Sequence, residues 1–431
     1  MCRHGATLVA GTELRVSFRP VAETDARPRL VRPSLSLATL SPLPGLAARF
    51  ELIHIPVLWE TALYAAAILG SAFLLSWAAE VAQIDISQTL AIAVLAFIAV
   101  LPEYAVDLFL AFRAGQGDEQ KRHLAVANMT GANRLLIGLG WAVVVLIFWF
   151  KSRQKEVRLR PEQRIDVGYL LLATLWAFTI PIRGQLWWPD LVVLGTLFVA
   201  YVIRAAKEEV EEPDLIGAAA AIGALPRRAR RVTVVALFLY AAAMILLVAE
   251  HFADGLIEIG QRFGISEFFL IQWVAPLASE APEMIIAILF TLRLKAQAGL
   301  GTLISSKVNQ WTLLIGTLWL VFAIGGGEAG QGSGFFNPMT MDSTQREEVL
   351  LTAAQSLFAV AVISNLSISR WEAIGLLVLF LGQFGFPQSE VRYGFTIAYL
   401  VLAAALFAFS GDTRRNLVSS LKTVFRPRSG P

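Results

Sequence analysis

The sequence predicts an all-α integral membrane protein, and its composition and the lengths of its apolar runs are the two observations that predict this class. Of the 431 residues, 56% are hydrophobic and only 16% are charged, whereas soluble domains are roughly 45 to 50% apolar and 25% charged. Apolar runs of about 17 to 25 residues recur between charged and turn residues, which is the length that a helix needs to cross a bilayer. The short alternating strands of an outer-membrane barrel are not the pattern of this chain.

About eleven helical spans are expected, with one long polar connection near the middle of the chain. The predicted spans are 56–82, 87–113, 122–150, 166–182, 187–206, 232–260, 266–292, 297–325, 347–366, 370–387 and 391–410. The connection between the fifth and sixth spans carries an acidic run followed by four arginines, a composition typical of a solvated linker.

These spans divide the chain into five predicted regions. Residues 1–50, rich in Arg, Pro and Ser, form an uncertain extension that is expected to be disordered. The remaining regions are a first membrane repeat at 51–206, a cytoplasmic linker at 207–231, a second membrane repeat at 232–387, and an extra helix with a basic tail at 388–431.

Matching motifs recur in the two halves at an offset on the order of 175 to 185 residues, which indicates a duplicated membrane module. The matching segments are 102–103 with 282–283, 128–133 with 302–307, and 188–191 with 371–374. Because five spans are an odd number, the second copy must cross the membrane in the opposite sense to the first. The predicted fold is therefore two inverted-topology five-helix repeats plus one extra C-terminal helix, about 10 to 11 transmembrane helices in all.

Glu103 and Glu283 are the leading functional candidates, because each follows a proline inside a predicted span. A charged side chain at the centre of a membrane helix costs about 2.5 to 3.5 kcal/mol on insertion scales, so it rarely persists without a task. The neighbouring proline removes a helix hydrogen bond, and the freed carbonyl can join the carboxylate around a cation. Inverted repeats would bring both Pro-Glu helices together at the midplane. The alternative without a role in ion binding is that each Pro-Glu pair marks the start of a helix at the membrane interface.

Several other classes of function lack support in the sequence. The single cysteine and the four scattered histidines exclude a disulfide framework, a thiolate metal cage and a paired-histidine zinc site. No phosphate-binding loop, zinc-protease motif or nucleophile elbow is present. The sequence thus predicts no enzyme, no cofactor and no nucleic-acid partner. The expected partners are the lipid bilayer and small inorganic cations, and the oligomeric state stays open.

The positive charges predict an orientation in the membrane. Basic residues in 151–164, 204–231, 293–295, 370 and 414–428 fall on one side, and the acidic segment 328–342 falls on the other. The positive-inside rule therefore places the central linker and the C-terminus in the cytoplasm. A multi-pass protein of the plasma membrane is the predicted location.

These paired motifs resemble the two α-repeats of the sodium/calcium exchanger (cation/calcium antiporter) superfamily, of which this chain would be a divergent member. The family pattern is Gly-Thr-Ser-X-Pro-Glu on one helix and Gly-Asn-X-X-Gly-Ser-Asn-X-X-Asn on the next. The resemblance covers roughly residues 56 to 387 and implies secondary active antiport of Ca²⁺, Na⁺ or H⁺ by alternating access. The cation-binding residues that it implies are Glu103, Glu283, Asn128, Asn133, Ser279, Ser306 and Gln310.

Departures from the family pattern bear on the transported ion. Ile98, Ala99 and Val100 replace Gly-Thr-Ser, and Leu136 replaces the last asparagine of the first repeat. Gln310 stands at an asparagine or aspartate position of the second repeat.

Lys307 replaces another asparagine of the second repeat. Its ammonium group is expected beside Glu283, where it would neutralise charge that attracts a divalent ion. Glu280, one turn before Glu283, is the expected charge-compensating partner. A monovalent cation/proton antiporter and a transport-inactive scaffold or sensor remain alternatives, as does an intramembrane hydrolase that uses the two glutamates as an acid/base pair.

Overall fold

The structure is a computed structural model of the chain, and it describes residues 28–85, 101–206, 215, 217–328, 336–384, 386 and 388–425. Within these residues, eight helices are long and apolar enough to cross a membrane. The other regular elements among these residues are further helices and helical turns and four strands of two or three residues. The predicted all-α membrane fold is confirmed.

Two helices precede the first span, α1 (Pro28–Leu40) and α2 (Pro42–Arg49). The hydroxyl of Tyr240 donates a hydrogen bond to the Thr39 carbonyl at 2.7 Å, and Arg49 Nη1 lies 2.7 Å from His251 Nε2. The prediction of disorder up to residue 50 is therefore wrong for this part, because Ala38 and Ala48 are buried in the main core. Residues 1–27 lie outside the described residues.

The helices of the first repeat follow in chain order. They are α3 (Val57–Ala82), α4 (Leu101–Gly115), α5 (Glu119–Leu135), α6 (Ala142–Ser152), α7 (Arg164–Ala177), α8 (Thr179–Arg183) and α9 (Trp188–Ala205). A π-helical turn, Leu136–Trp141, joins α5 to α6. A 3₁₀ turn, Pro161–Gln163, leads into α7.

The second repeat has a matching series of helices after the linker helix α10 (Gly217–Gly223). They are α11 (Arg227–Phe263), α12 (Glu267–Phe269), α13 (Ala275–Leu292), α14 (Ala296–Asn309), α15 (Ile315–Glu328), α16 (Ser343–Ile363) and α17 (Arg370–Phe384). Leu270–Val274 is a π-helical turn between α12 and α13, and Gln310–Leu314 is another between α14 and α15. The chain continues through α18 (Ser389–Phe409) and α19 (Gly411–Phe425).

The predicted solvated linker at 207–231 is partly wrong. Ala219 and Ile222 of α10 are buried against Ala78 and Val81 at the end of α3. The next helix already begins at Arg227. Four alanines in this short stretch favour a helix, and its apolar side chains gain from contact with α3. Residues 207–214 and 216 lie outside the described residues.

Four short strands report the inverted symmetry of the repeats. They are β1 (Glu156–Arg158), β2 (Gln185–Leu186), β3 (Met339–Thr340) and β4 (Ser367–Ser369). β1 pairs with β4 and β2 pairs with β3, both antiparallel, so each small sheet takes one strand from each repeat. β1 and β3 hold corresponding positions in the two repeats, as do β2 and β4. A two-fold axis in the membrane plane produces this exchange of partners at opposite ends of the helices.

Loop contacts define the two ends of the molecule. At one end the Lys151 ammonium group donates to the Leu292 carbonyl, and the backbone N–H of Arg370 donates to the Lys155 carbonyl at 2.9 Å. We call this end the basic face. At the other end, the opposite face, Arg122 donates to the Thr340 hydroxyl at 3.2 Å. The segments around Lys151, Leu292 and Arg370, which the sequence assigned to one side, therefore meet at one end.

Candidate functional site

Buried polar residues gather where α4 and α5 of the first repeat meet α13, α14 and the adjoining π-helical turn of the second. Gly131 makes this meeting possible, because a Cβ atom there would lie only 1.8 Å from the carbonyl oxygen of Gln272. No residue other than glycine fits such a close backbone approach without a shift of one helix. The glycine therefore sets the depth at which Asn128 and Asn133 face the second repeat.

Four carboxyl groups lie in this site, two from each repeat. Glu103 and Asp107 project from α4, and Glu280 and Glu283 project from α13. Glu103, Asp107 and Glu280 are 1%, 0% and 3% exposed, whereas Glu283 is half-buried. Glu103 interacts electrostatically most strongly with Glu280, then with Asp107, and more weakly with Glu283. The two Pro-Glu helices therefore meet, and the strongest interaction between carboxyl groups across the repeats is that of Glu103 with Glu280.

Asp107 is a site residue that the sequence reasoning missed. It is fully buried, and Asn128 Nδ2 donates a hydrogen bond to its Oδ1 at 2.9 Å. Helical spacing indicates this residue, because Asp107 follows Glu103 by one helical turn and so lies on the same face of the predicted span. Asn128 thus binds the second acid of its own repeat.

Lys307 lies elsewhere than predicted. Its Nζ donates to Asn133 Oδ1 at 2.6 Å and sits 4.1 Å from the centroid of the Trp311 ring. Its electrostatic partner is Glu103, so the prediction that it lies beside Glu283 is wrong. A lysine side chain is long enough to cross the interface, and the amide oxygen and the aromatic face of the site both attract an ammonium group.

Glu280 is likewise not the partner of Lys307. Gln310 Nε2 donates to Glu280 Oε1 at 2.7 Å, and Glu280 also interacts with Glu283 and, across the repeats, with Glu103. Gln310 is the first residue of a π-helical turn, a local widening that often occurs at functional sites. Glu280 is therefore a central member of the site.

The two predicted serine ligands differ in their contacts. The Ser279 hydroxyl donates to the carbonyls of Ala275 and Pro276 of its own helix, both at 3.3 Å. The Ser306 side chain lies near Glu283 and interacts with it electrostatically. Pro282 lies inside α13, so the carbonyl four residues earlier lacks its usual amide donor. Residues 98–100, where the family motif is altered, lie outside the described residues.

Several buried oxygens of the site accept no hydrogen bond from the part of the chain that the structure describes. They are both carboxyl oxygens of Glu103, Asp107 Oδ2, Asn128 Oδ1, Glu280 Oε2, Glu283 Oε2 and Gln310 Oε1. Each buried polar atom without a partner costs about 1 to 3 kcal/mol. Carboxylate and amide oxygens are also the ligands that hard cations prefer.

Among the described residues, no group of three or more His, Cys, Asp or Glu side chains is close enough to hold a metal ion by itself. A cation here would thus be bound by a carboxyl pair together with amide and carbonyl oxygens.

The site is more open towards the basic face than towards the opposite face. On α14, small or polar residues that are exposed or partly exposed recur at every turn, at 297–298, 301–302 and 305–306, and they end near Glu283. We call this strip the groove of α14. Towards the opposite face, Arg113 pairs with Glu250 at 2.7 Å and Lys121 pairs with Asp254. These ion pairs tie α4 and α5 to α11. Ion pairs between helices thus lie on one side of the site and partly exposed polar residues on the other.

Arg134, the neighbour of Asn133, belongs to a separate buried cluster. Its guanidinium group pairs with Glu348 and lies 5.0 Å from the centroid of the Trp273 ring. Gln272 Nε2 also donates to Glu348 at 2.9 Å. These residues line a cavity of about 300 Å³ that opens between α12 and α17. Its charges are paired, so this cluster holds α5 against α16 and stands apart from the carboxyl site.

Comparisons with known proteins agree with this fold. The sequence pattern of the family described as "Sodium/calcium exchanger protein" matches residues 56–207 and 233–386. The crystal structure of the H⁺/Ca²⁺ exchanger CAX is similar at 42% identity and a TM-score of 0.86, over 91% of this chain and 97% of that chain.

Two more distant structures show similarity of fold alone. The Ca²⁺/H⁺ antiporter protein YfkE is 16% identical with a TM-score of 0.55, over 87% of this chain and 100% of that chain. The sodium-calcium exchanger NCX_Mj is 18% identical with a TM-score of 0.51, over 76% and 97% of the two chains. A comparison with curated proteins gave no match.

Proposed function

This chain belongs to the sodium/calcium exchanger family of membrane cation antiporters, and we propose that it exchanges Ca²⁺ for H⁺ by alternating access. The observation that carries the proposal is the site itself, in which four carboxyl groups from both repeats lie together and one of them, Glu103, interacts with the ammonium group of Lys307. The similar structure at 42% identity is that of an H⁺/Ca²⁺ exchanger, which favours protons over sodium as the coupling ion.

The charge of the site explains why two kinds of cation would compete for it. Four ionised carboxylates against Lys307 leave a large uncompensated negative charge in a medium of low dielectric constant. A divalent cation can neutralise it, and so can protons on the carboxylates. If both loaded states carry the same net charge, one Ca²⁺ replaces two protons.

The hydrogen bonds suggest a role for each side chain. Glu103 and Glu280 would be the charged ligands, because they face each other across the interface of the repeats. Asn128 and Gln310 each use their amide nitrogen to bind a carboxylate, and this fixes the amide plane and leaves the carbonyl oxygen for a cation. Backbone carbonyls and water would complete the six to eight oxygens that Ca²⁺ prefers.

The other predicted ligands would be accessory. The Asn133 oxygen accepts from Lys307, so it reaches a cation only if that bond breaks. Ser279 binds its own helix, and Ser306 would hold Glu283 at the opening towards the basic face. Glu283 is the carboxyl group best placed to gain or lose a proton there, because it is the least buried of the four.

Alternating access needs a change at both ends of the site. The Arg113–Glu250 and Lys121–Asp254 pairs would break as the opposite face opens, while the groove beside Ser306 closes. Exposed ion pairs contribute about 0.2 to 1 kcal/mol each. Such pairs bias a conformational equilibrium without locking it.

Transport in proteoliposomes tests the proposal. With an imposed Ca²⁺ gradient, the wild type should move protons in the opposite direction, detected with a pH-sensitive dye, and Na⁺ should not replace them. Glu103→Gln and Glu280→Gln should abolish both fluxes, whereas Glu258→Gln, an exposed glutamate on α11, should not. Calcium flux that depends on Na⁺ and moves no protons would contradict the proposal. No flux of any ion from folded protein would favour the scaffold alternative.

A monovalent cation/proton antiporter is the second candidate, and the position of Lys307 favours it. The lysine ammonium group already occupies an amide oxygen of the site, so the site accommodates a singly charged cation. In the same vesicles, K⁺ or Na⁺ gradients that drive proton flux without Ca²⁺ would select this function.

We also propose that the protein lies in the plasma membrane with its basic face towards the cytoplasm. The concentration of arginine and lysine at that face supports this orientation. A fluorescent or phosphatase reporter fused to the C-terminus tests it. Fluorescence without phosphatase activity is expected, and the reverse pattern would contradict the orientation.

A further inference from the structure

A second buried carboxyl group lies outside the exchange site, at the junction of α7, α9 and α14. Asp166 is 7% exposed. Its Oδ1 accepts hydrogen bonds from the Tyr201 hydroxyl at 2.7 Å and from the Ser305 hydroxyl at 3.1 Å. Two helices of the first repeat and one of the second therefore meet at this aspartate.

Asp166 lies between the exchange site and the basic face. It belongs to the first turn of α7, directly after the loop that forms part of that face. On the other side, Ser305 is followed by Ser306, whose side chain lies near Glu283. Both serines are partly exposed on the groove of α14. Polar side chains thus run without an apolar interruption from Glu283 to the first turn of α7.

We propose that Asp166 is a proton-binding site that connects the exchange site to the basic face. The inference rests on the proposed Ca²⁺/H⁺ exchange and adds to it a residue that does not bind the metal. Its ligand is the proton alone.

The transfer balances with the groups named and water. A protonated Glu283 gives its proton to the Ser306 hydroxyl, which passes its own proton through water in the groove to Ser305. Ser305 then gives its proton to the Asp166 carboxylate, so one O–H bond is broken at Glu283 and one is formed at Asp166. Asp166 finally releases the proton to water at the basic face, and the direction reverses when protons enter from there.

The surroundings of Asp166 leave it free to change charge. From α9 it faces Tyr201, and from α14 it faces Ser305. Tyr169, on its own helix, stacks on Tyr201 with ring centroids 5.7 Å apart. The nearby arginines are engaged elsewhere, since Arg204 donates to the Val424 carbonyl and Arg164 donates to Asn416 of α19. Within the described residues, no lysine or arginine forms an ion pair with Asp166.

A purely structural role explains this aspartate less well. An asparagine could accept the same two hydrogen bonds without the cost of a buried charge, which is several kcal/mol for an ion without a counter-ion. Neutral hydroxyl donors compensate such a charge only in part. A carboxyl group that alternates between charged and protonated states meets this cost only for part of the cycle.

The test compares two kinds of exchange in the same proteoliposomes. Ca²⁺/H⁺ exchange needs a proton path, whereas exchange of ⁴⁵Ca²⁺ for unlabelled Ca²⁺ does not. Asp166→Asn keeps both hydrogen bonds and cannot carry a proton. We expect it to slow Ca²⁺/H⁺ exchange about tenfold or more, within the range of general acid/base effects, and to flatten its dependence on pH at the basic face. Calcium/calcium exchange should stay at the wild-type rate.

Two further variants separate the relay from packing. Ser305→Ala leaves the carboxyl group and breaks the link, so it should also slow Ca²⁺/H⁺ exchange alone. Tyr169→Phe changes a side chain of the same helix and removes neither hydrogen bond of Asp166, so it should leave both exchange modes within about twofold. Wild-type Ca²⁺/H⁺ rates and pH dependence in Asp166→Asn would overturn the inference, as would equal losses in both modes. Absence of proton flux in the wild type would instead overturn the proposed function.

Discussion

The two repeats share one fold but place their second acidic residue differently. In the first repeat Asp107 follows Glu103 by four residues, and the corresponding position of the second repeat is Ala287. In the second repeat Glu280 precedes Glu283 by three residues, and the corresponding position of the first is Val100. The duplicated Pro-Glu pair is therefore symmetric, whereas the additional acids are not.

Because the repeats are inverted, Asp107 and Glu280 lie on the same side of Glu103 and Glu283, towards the opposite face. α4 runs towards the opposite face, so Asp107 lies on that side of Glu103. α13 runs away from the opposite face, since it follows Glu267, which pairs with Gln120 there, so Glu280 also lies on that side of Glu283. Both additional acids thus extend the site in one direction. These two acids, which have no acidic counterpart in the other repeat, therefore give the site a direction.

The two halves also differ in exposure. Glu103 of the first repeat is sealed, whereas Glu283 of the second is half-buried beside the groove of α14. A transporter that opens to one side at a time needs such a difference between equivalent residues in each state. The symmetry of the repeats allows two conformations, each open to one side of the membrane. Departures from that symmetry give each carboxyl group a different environment.

The largest effect on Ca²⁺ exchange is expected from changes to Glu103 and Glu280, the carboxyl groups that interact most strongly across the repeats. Glu103→Gln and Glu280→Gln should each lower Ca²⁺ exchange at least a hundredfold, because removing one member of a buried charged site costs about 3 to 5 kcal/mol. Initial rates of ⁴⁵Ca²⁺ uptake measure this. A mild effect of Glu280→Gln beside a severe effect of Glu103→Gln would remove Glu280 from the centre of the site.

Asp107 should matter less, because it touches the ligands through Asn128. Asp107→Asn is expected to weaken Ca²⁺ binding about tenfold, or 1.4 kcal/mol. Calorimetric titration in detergent measures it. Ala287→Asp is the matched change in the second repeat. Added to Asp107→Asn, it should not restore Ca²⁺ binding, because position 287 lies on the side of Glu283 towards the basic face. Restored binding would show that the side on which the additional acid lies does not matter.

Lys307→Asn should shift selectivity towards divalent ions. It removes the positive charge near Glu103 and frees the Asn133 oxygen, so Ca²⁺ affinity is expected to rise by about three- to tenfold while affinity for monovalent ions changes less. Competition of Na⁺ and K⁺ against ⁴⁵Ca²⁺ binding measures this. Unchanged selectivity would mean that the ammonium group does not contribute to ion choice.

A smaller effect is expected where the two repeats touch backbone to backbone. Gly131→Ala forces α5 away from the carbonyl of Gln272 and should destabilise the fold by about 1 to 3 kcal/mol, as overpacking does. The melting temperature in detergent should fall, with weaker Ca²⁺ binding as a consequence. Gly375→Ala, where an added Cβ meets nothing within 4 Å, is the matched control. Equal melting temperatures for the two variants would contradict the close approach.

Much of this fold follows from the sequence because bilayer thickness and backbone hydrogen bonding leave few choices. The apolar runs predicted the helices, and the offset between Pro102-Glu103 and Pro282-Glu283 predicted the repeat. The π-helical turns at Leu136 and Gln310 were not predicted, since a local widening of a helix leaves no periodic signal. The helices α1, α2 and α10 were missed because short or mixed segments depend on burial against α3, which composition does not report.

The sequence predicted which residues belong to the site better than it predicted which of them contact each other. Sequence alignment of the repeats indicated the helices and most of the oxygens. It assigned Lys307 to Glu283 because helical spacing describes neighbours on one helix, whereas the lysine reaches Asn133 and Glu103 across the interface. Asp107 was not predicted because it lies outside the family motif, which ends at Glu103. Its position one helical turn after Glu103 places both residues on the same face of the helix.

Proton release on Ca²⁺ binding tests the central claim most directly. Calorimetric titration of the purified protein with Ca²⁺, in buffers of different ionisation enthalpy, counts the protons that leave as the metal binds. Competition within the Glu103–Glu280 site predicts about two protons per Ca²⁺ near neutral pH, by the charge balance of the site, and fewer in Glu283→Gln. Calcium binding with no proton released at any pH would contradict it.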